Sequence, residues 1–125
     1  MSDIPVPRRL VLMIDDDEEL YTLVAMTIEC DDLPIDVRYA ASGDTGKQMF
    51  RDLQPNIELI VLDYHIKDDR GDELARHFRD SSYTGPMLGA SSDYTVEPLF
   101  KQAGCLLFCR DKSKLPDRIR EILGL

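Results

Sequence analysis

The chain has 125 residues, 43% of them hydrophobic, which fits one domain with one ordinary core. Charged residues make up 31% and the formal net charge is −9, a balance that argues for a water-soluble protein and against direct binding to nucleic-acid phosphates. No apolar run approaches the roughly 20 residues of a membrane span, and Met1–Arg9 is polar and proline-containing, without the apolar stretch of a signal peptide.

In chain order, Arg9–Ile14 reads as a first strand, and Glu18–Cys30 as a helix with Leu20, Leu23, Val24, Thr27 and Ile28 at helical spacing. Asp31, Asp32 and Pro34 end that helix, and Ile35–Ala40 reads as a second strand. Ser42 is a candidate N-cap for a helix over Thr45–Leu53, and Gln54–Asn56 reads as a turn. Ile57–Leu62 is almost wholly apolar, as expected of a strand buried on both faces of a parallel sheet. Asp72–Arg79 follows as a helix with Leu74, Ala75 and Phe78 on one side. Lys67–Arg70, just before it, is most simply a solvated loop.

Gly85 and Pro86 punctuate the chain ahead of a fourth strand, Met87–Ala90. Ser91–Val96 reads as a loop, and Pro98, tolerated only in a first turn, starts a short helix near Glu97 that Gly104 ends. Leu106–Arg110 is the predicted fifth strand, and Pro116 suits the start of a last helix running to about Leu123. The helix ends near Leu125, so no output domain is expected in this sequence, whether it is a stand-alone protein or a piece of a larger one. An odd count of three cysteines without a secretion signal points to reduced thiols in the cytoplasm. Cys105 and Cys109, of equal parity on the fifth strand, are expected to face the same way and pack in the core.

Five strands alternating with five helices imply right-handed parallel crossovers and an α/β, doubly wound five-stranded sheet of flavodoxin-like order 2-1-3-4-5. Ligands of such sheets bind beyond the carboxyl ends of the strands, where the order reverses between the first and third. Two features fall there. Asp15–Glu19 holds five carboxylates in a row after the first strand, and Asp63 follows the third. By itself the run could be a helix cap with acids favoured by the dipole, or a solvated loop. Convergence with Asp63 changes that reading, because like charges in one site raise each other's pKa and a hard divalent cation relieves the repulsion. Asp63 is then a candidate nucleophile, since a carboxylate can form an acyl phosphate. Ser91 could donate a hydroxyl hydrogen bond, and a lysine after the fifth strand could supply a point charge.

Over roughly Arg9–Leu123 the sequence resembles the receiver domain of two-component response regulators. The stretches that carry the likeness are Val11–Leu20, Ile57–Leu74, Gly85–Ser92 and Ala103–Phe108. The resemblance implies Mg²⁺ held by Asp15, Asp16, Asp63 and the backbone carbonyl of His65, with Asp16 the closer of the first pair. It implies Asp63 as phosphoacceptor, Ser91 and Lys112 as phosphate contacts, Ser91 and Phe108 as switch residues, and Gly71 as the family's glycine after the phosphoacceptor. The implied partners are a histidine kinase or phosphotransfer protein, a downstream protein target and a homodimer through the fourth helix, fifth strand and fifth helix. No direct nucleic-acid or membrane contact is implied. Such a domain catalyses only its own phosphorylation and dephosphorylation and is not a turnover enzyme.

Three features depart from the family pattern. Lys67 stands where the family usually has proline, which predicts a looser or differently shaped loop. The usual offset of the lysine from the aromatic residue falls on Asp111, between Arg110 and Lys112; Lys112 is the choice, Arg110 the alternative, and a one-residue shift of the loop is expected. Phe108 lacks a phenolic hydroxyl, so it could signal by ring burial alone. His65 and Asp93 are read as solvent-facing residues that could tune water access, and His77 as a surface residue. A haloacid-dehalogenase-type phosphatase would also use an aspartate and Mg²⁺. Here Asp15–Asp17 supply the acids, but Glu18 is wrong for that motif and the chain is short for the fold. An unphosphorylated pseudo-receiver that only binds partners is the other alternative.

Overall fold

The structure, a computed structural model, describes residues 7–125; positions 1–6 of the N-terminal stretch read above lie outside the described residues. Strands β1 (Arg9–Ile14), β2 (Ile35–Ala40), β3 (Ile57–Asp63), β6 (Met87–Ala90) and β7 (Leu107–Cys109) form one parallel sheet in the order β2-β1-β3-β6-β7. This is the expected 2-1-3-4-5 arrangement, because β4 (His65–Ile66) and β5 (Asp69–Arg70) form a separate antiparallel hairpin.

Helices α1 (Glu18–Cys30) and α5 (Leu115–Leu123) cover one face of the sheet, and α2 (Gly43–Leu53), α3 (Gly71–Asp80) and α4 (Glu97–Gln102) cover the other. The central strands feed both layers by strict alternation. Leu12, Ile14, Ile60 and Leu62 join Phe50, Phe78 and Phe100, whereas Val11, Met13, Leu59 and Val61 join Val24, Leu115 and Ile119. Each such fully buried side chain contributes roughly 1.5–3 kcal/mol of hydrophobic stabilisation before entropy is charged against it.

Helix ends follow their sequence signals. Asp17 caps α1 by accepting from the backbone N–H groups of Glu19 and Leu20, and Ser42 caps α2 by accepting from Thr45. Pro116 lies in the first turn of α5, and Gly124 closes that helix in the left-handed region at φ 72°. Helix α2 starts at Gly43 rather than Thr45, and a 3-10 turn (Tyr94–Val96) precedes α4 within the segment read as loop.

Three expectations are corrected. Leu23 does not join the buried face of α1; it is 42% exposed, because the apolar stripe that meets the sheet is narrow and runs through Leu20 and Val24. Cys105 and Cys109 do not face the same way. Strand β7 spans only Leu107–Cys109, so Cys105 lies before it and packs beside Phe100, while Cys109 packs with Leu115 on the opposite face. Lys67–Arg70 is not merely a solvated loop: it closes the β4–β5 hairpin, and three of its side chains are engaged, as described below.

Candidate functional site

Strands β1 and β3 are neighbours in the sheet and end side by side, with Ile14 opposite Leu62. The chain leaves them at Asp15 and Asp63, so the two side chains meet at the carboxyl edge. Asp16 joins them, and one carboxylate oxygen from each of the three acids lies within 4.8 Å of the others. Asp15 is almost wholly buried, 2% exposed, Asp63 is buried and Asp16 is exposed. Asp15 Oδ1 accepts from the Asp17 N–H at 2.8 Å, which folds the loop back over β1 and leaves Asp17 free to cap α1.

Lys112 enters this cluster from the far side of the sheet. Its Nζ lies 3.0 Å from Asp63 Oδ1 and 3.3 Å from Asp15 Oδ2. The expected shift in the loop after β7 has a simple cause. Asp111 accepts from the Ser113 N–H and Oγ–H and so caps a 3-10 turn, Lys112–Lys114, whose first residue points inward. Arg110 is turned away; its guanidinium pairs with Glu97 at 3.2 Å and lies over the Tyr94 ring, 5.1 Å from its centre. The structure thus brings Lys112, and not Arg110 or Asp111, to the acids.

The electrostatics follow from this packing. Burial pushes the Asp15 carboxyl up to about 6. The Asp17 N–H opposes that shift, Asp63 adds to it, and Lys112 opposes it. Burial also works against charge on Lys112, but its hydrogen bond to Asp63 and the charges of Asp15 and Asp63 outweigh it, and the ammonium pKa lies above the ordinary value.

Ser91 follows β6, whose last residue, Ala90, pairs with Asp63 in register. It is buried; its N–H donates to the Cys109 carbonyl, and its Oγ accepts from Asp93 at 3.1 Å. The hydroxyl therefore already shapes the β6–α4 connection. Asp93 is occupied in turn as the cap of the 3-10 turn, accepting from the Thr95 N–H and hydroxyl. Phe108, half-buried on β7, packs 5.9 Å from the ring of Phe100, which is 6.0 Å from that of Tyr64, next in chain to Asp63. His65 is exposed, opens β4, and sets its ring edge-on to Tyr64 at 4.8 Å. His77 is half-buried on α3, and burial holds its imidazole below the ordinary value.

Gly71 accounts for how tightly α3 meets the site. A Cβ there would run into the backbone oxygen of Asp63 and lie 2.7 Å from Phe100 Cζ. The Gly71 N–H donates to the Tyr64 carbonyl at 2.8 Å, pinning the start of α3 to the residue after Asp63. The sequence reading missed the use made of the hairpin. Asp68 Oδ1 and Oδ2 accept from the Gly43 and Asp44 N–H groups at 2.7 and 3.0 Å, Lys47 pairs with Asp69 at 3.4 Å, and Arg70 makes a two-pronged pair with buried Asp72.

An all-oxygen donor set, two acids of which are buried side by side as like charges, suits a hard divalent cation. Asp15, Asp16 and Asp63 are the residues that could hold one. Among the described residues, no helix is long and apolar enough to cross a membrane.

No family model matches the chain, and no curated protein matches it by sequence. Solved structures do match by shape. The chemotaxis response regulator CheY4 of Vibrio cholerae is 18% identical over 92% of this chain and 98% of that chain, with a TM-score of 0.79. A two-component response regulator from Clostridium difficile is 16% identical over 94% of this chain and 97% of that one, also with a TM-score of 0.79. The BeF3-activated N-terminal receiver domain of RstA from Klebsiella pneumoniae is 22% identical over 94% of this chain and 100% of that one, with a TM-score of 0.76. With its strand order, its layers and these likenesses together, the chain has the fold of the receiver domains of two-component response regulators.

Proposed function

We propose that the chain is a phosphoacceptor receiver domain, which takes a phosphoryl group onto Asp63 from a histidine kinase, a phosphotransfer protein or a small acyl phosphate. The observation that carries the reading is the convergence of Asp15, Asp16, Asp63 and the Lys112 ammonium at the carboxyl edge of the sheet. A buried acid pair needs compensating charge, and a transferred phosphoryl group needs the same positive groups around its oxygens.

One carboxylate oxygen of Asp63 attacks phosphorus. The bond from phosphorus to the donor nitrogen or oxygen breaks, and its electron pair leaves with the donor. Lys112, already on Asp63 Oδ1, exchanges part of its contact with the carboxylates for contact with the new phosphoryl oxygens. The Ser91 hydroxyl gives up its place in the β6–α4 turn to donate to the same group, and Phe108 follows toward the space it leaves. Asp15, Asp16, Asp63 and the His65 carbonyl are the groups that would hold Mg²⁺. When bound, that ion supplies charge neutralisation to the acids and to the phosphoryl oxygens. The phosphate contacts bias two pre-existing conformations of the surface around α4 and β7, where a downstream protein or a second copy of the chain would read the change. The chemistry is self-modification in the cytoplasm, not turnover.

Intact-mass measurement after incubation with acetyl phosphate and Mg²⁺ tests the reading. One phosphoryl group is expected on the wild type, dependent on the cation, and none on Asp63→Asn, whose circular dichroism matches the wild type. No gain on the wild type in either the labelling assay or a beryllofluoride-dependent tyrosine fluorescence assay would sink it and favour a module that only binds partners.

A further inference from the structure

The missing proline at position 67 predicts a loose loop after Asp63, yet that loop is fastened. His65 pairs with Arg70 and Ile66 with Asp69, so Lys67 and Asp68 form a two-residue turn at the tip of the β4–β5 hairpin. From this tip the Asp68 carboxylate spans to the first turn of α2, one oxygen on the Gly43 N–H at 2.7 Å and the other on the Asp44 N–H at 3.0 Å. A helix start leaves its first N–H groups without intrahelical partners. In α2, Asp68 takes two of them, the Ser42 hydroxyl takes that of Thr45, and the Gly46 N–H donates to the Ser42 carbonyl. The base of the hairpin is held as well, by the Gly71 N–H on the Tyr64 carbonyl and by the Arg70–Asp72 pair. Gly43 admits the approach: a Cβ there would lie 2.8 Å from Asp69 Cβ.

We infer that Asp68 is a positioning residue of the acid site. By clamping the hairpin tip to α2 it fixes the backbone of His65, two residues beyond Asp63, and so sets the readiness of the site for its divalent cation. The inference rests on the phosphoacceptor reading. It assigns to a side-chain bond, reaching across 25 residues of sequence, the stiffness that a proline in the loop would otherwise supply.

The test separates positioning from plain helix capping, because Ser42 caps the same helix without touching the hairpin. Acyl-phosphate formation with acetyl phosphate is followed by intact mass across a Mg²⁺ titration, alongside thermal melts, for the wild type, Asp68→Ala, Asp68→Asn, Ser42→Ala and Lys67→Ala. Asp68→Ala is expected to raise the half-saturating Mg²⁺ concentration about tenfold, the scale on which outer-sphere supports of a metal site act. Asp68→Asn, which keeps one acceptor, falls in between; Ser42→Ala and Lys67→Ala leave the half-saturation at the wild-type value, whatever their melts do. Equal shifts in Asp68→Ala and Ser42→Ala, or no shift in Asp68→Ala, overturn the assignment while the phosphoacceptor reading stands. A wild type that takes up no phosphoryl group overturns both.

Discussion

Lys112 and Arg110 stand two positions apart and have separate partners, the first on Asp15 and Asp63, the second on Glu97. Lys112→Met is therefore expected to slow labelling of Asp63 by about a hundredfold, the cost of removing one well-placed charge-stabilising donor. Arg110→Ala leaves the labelling rate unchanged; equal losses in the two variants, read in one time course, would contradict this division of roles. The sequence favoured Lys112 among three consecutive polar residues and left Arg110 open; the cause of the choice, Asp111 capping a 3-10 turn rather than extending β7, emerges only in the folded chain. Asp72 carries a second expectation. Its hydrogen bonds to Arg70 hold the buried carboxyl below the ordinary carboxylate range despite burial. A lowered native pKa stabilises the fold above about pH 4 and loses that contribution as pH falls through the native value. The urea midpoint of the wild type minus that of Asp72→Asn is expected to be largest near neutrality and to shrink toward pH 3.

At the scale of elements, the junction of β3 with α3 is the tightest constraint on the site. Gly71→Ala would push the start of α3 off the Asp63 carbonyl and into Phe100. A loss of about 1–3 kcal/mol in urea unfolding is expected, as for other overpacked positions, together with impaired labelling of Asp63. The alternation of strand and helix and most element bounds were readable from apolar periodicity and from caps such as Ser42 and Pro116, which are local signals. The hairpin clamp was not, because a carboxylate at position 68 and two N–H groups at 43 and 44 meet only once α2 and β3 are docked. Leu23 and Cys105 misled for related reasons. A periodic position says nothing of how wide the buried stripe will be, and parity has meaning only inside a strand, which β7 reaches at Leu107.

For the molecule as a whole, the parallel sheet was legible because β3 is apolar on both faces, a composition that only a doubly covered strand tolerates. The acid site was legible as a set of residue types, and its assembly then followed from the strand order. A ligand that binds only the native state stabilises it by mass action, about 2.7 kcal/mol at a hundredfold excess over its dissociation constant. Saturating Mg²⁺ is thus expected to raise the melting temperature of the wild type, chelation to reverse the gain, and Asp15→Asn with Asp63→Asn to abolish it; differential scanning calorimetry reads all three.

Cys30 is exposed at the end of α1, whereas Cys105 and Cys109 are buried. Helix α1 begins at the acid loop and runs for 13 residues, which sets this thiol about 20 Å away along the helix axis. Among its three cysteines the chain therefore offers a single accessible thiol for a maleimide dye, remote from the cluster of Asp15, Asp16 and Asp63. In air-oxidised samples the same sulfur would join two chains covalently, and a dimer that disappears with reductant reports that linkage and not a phosphorylation-driven association.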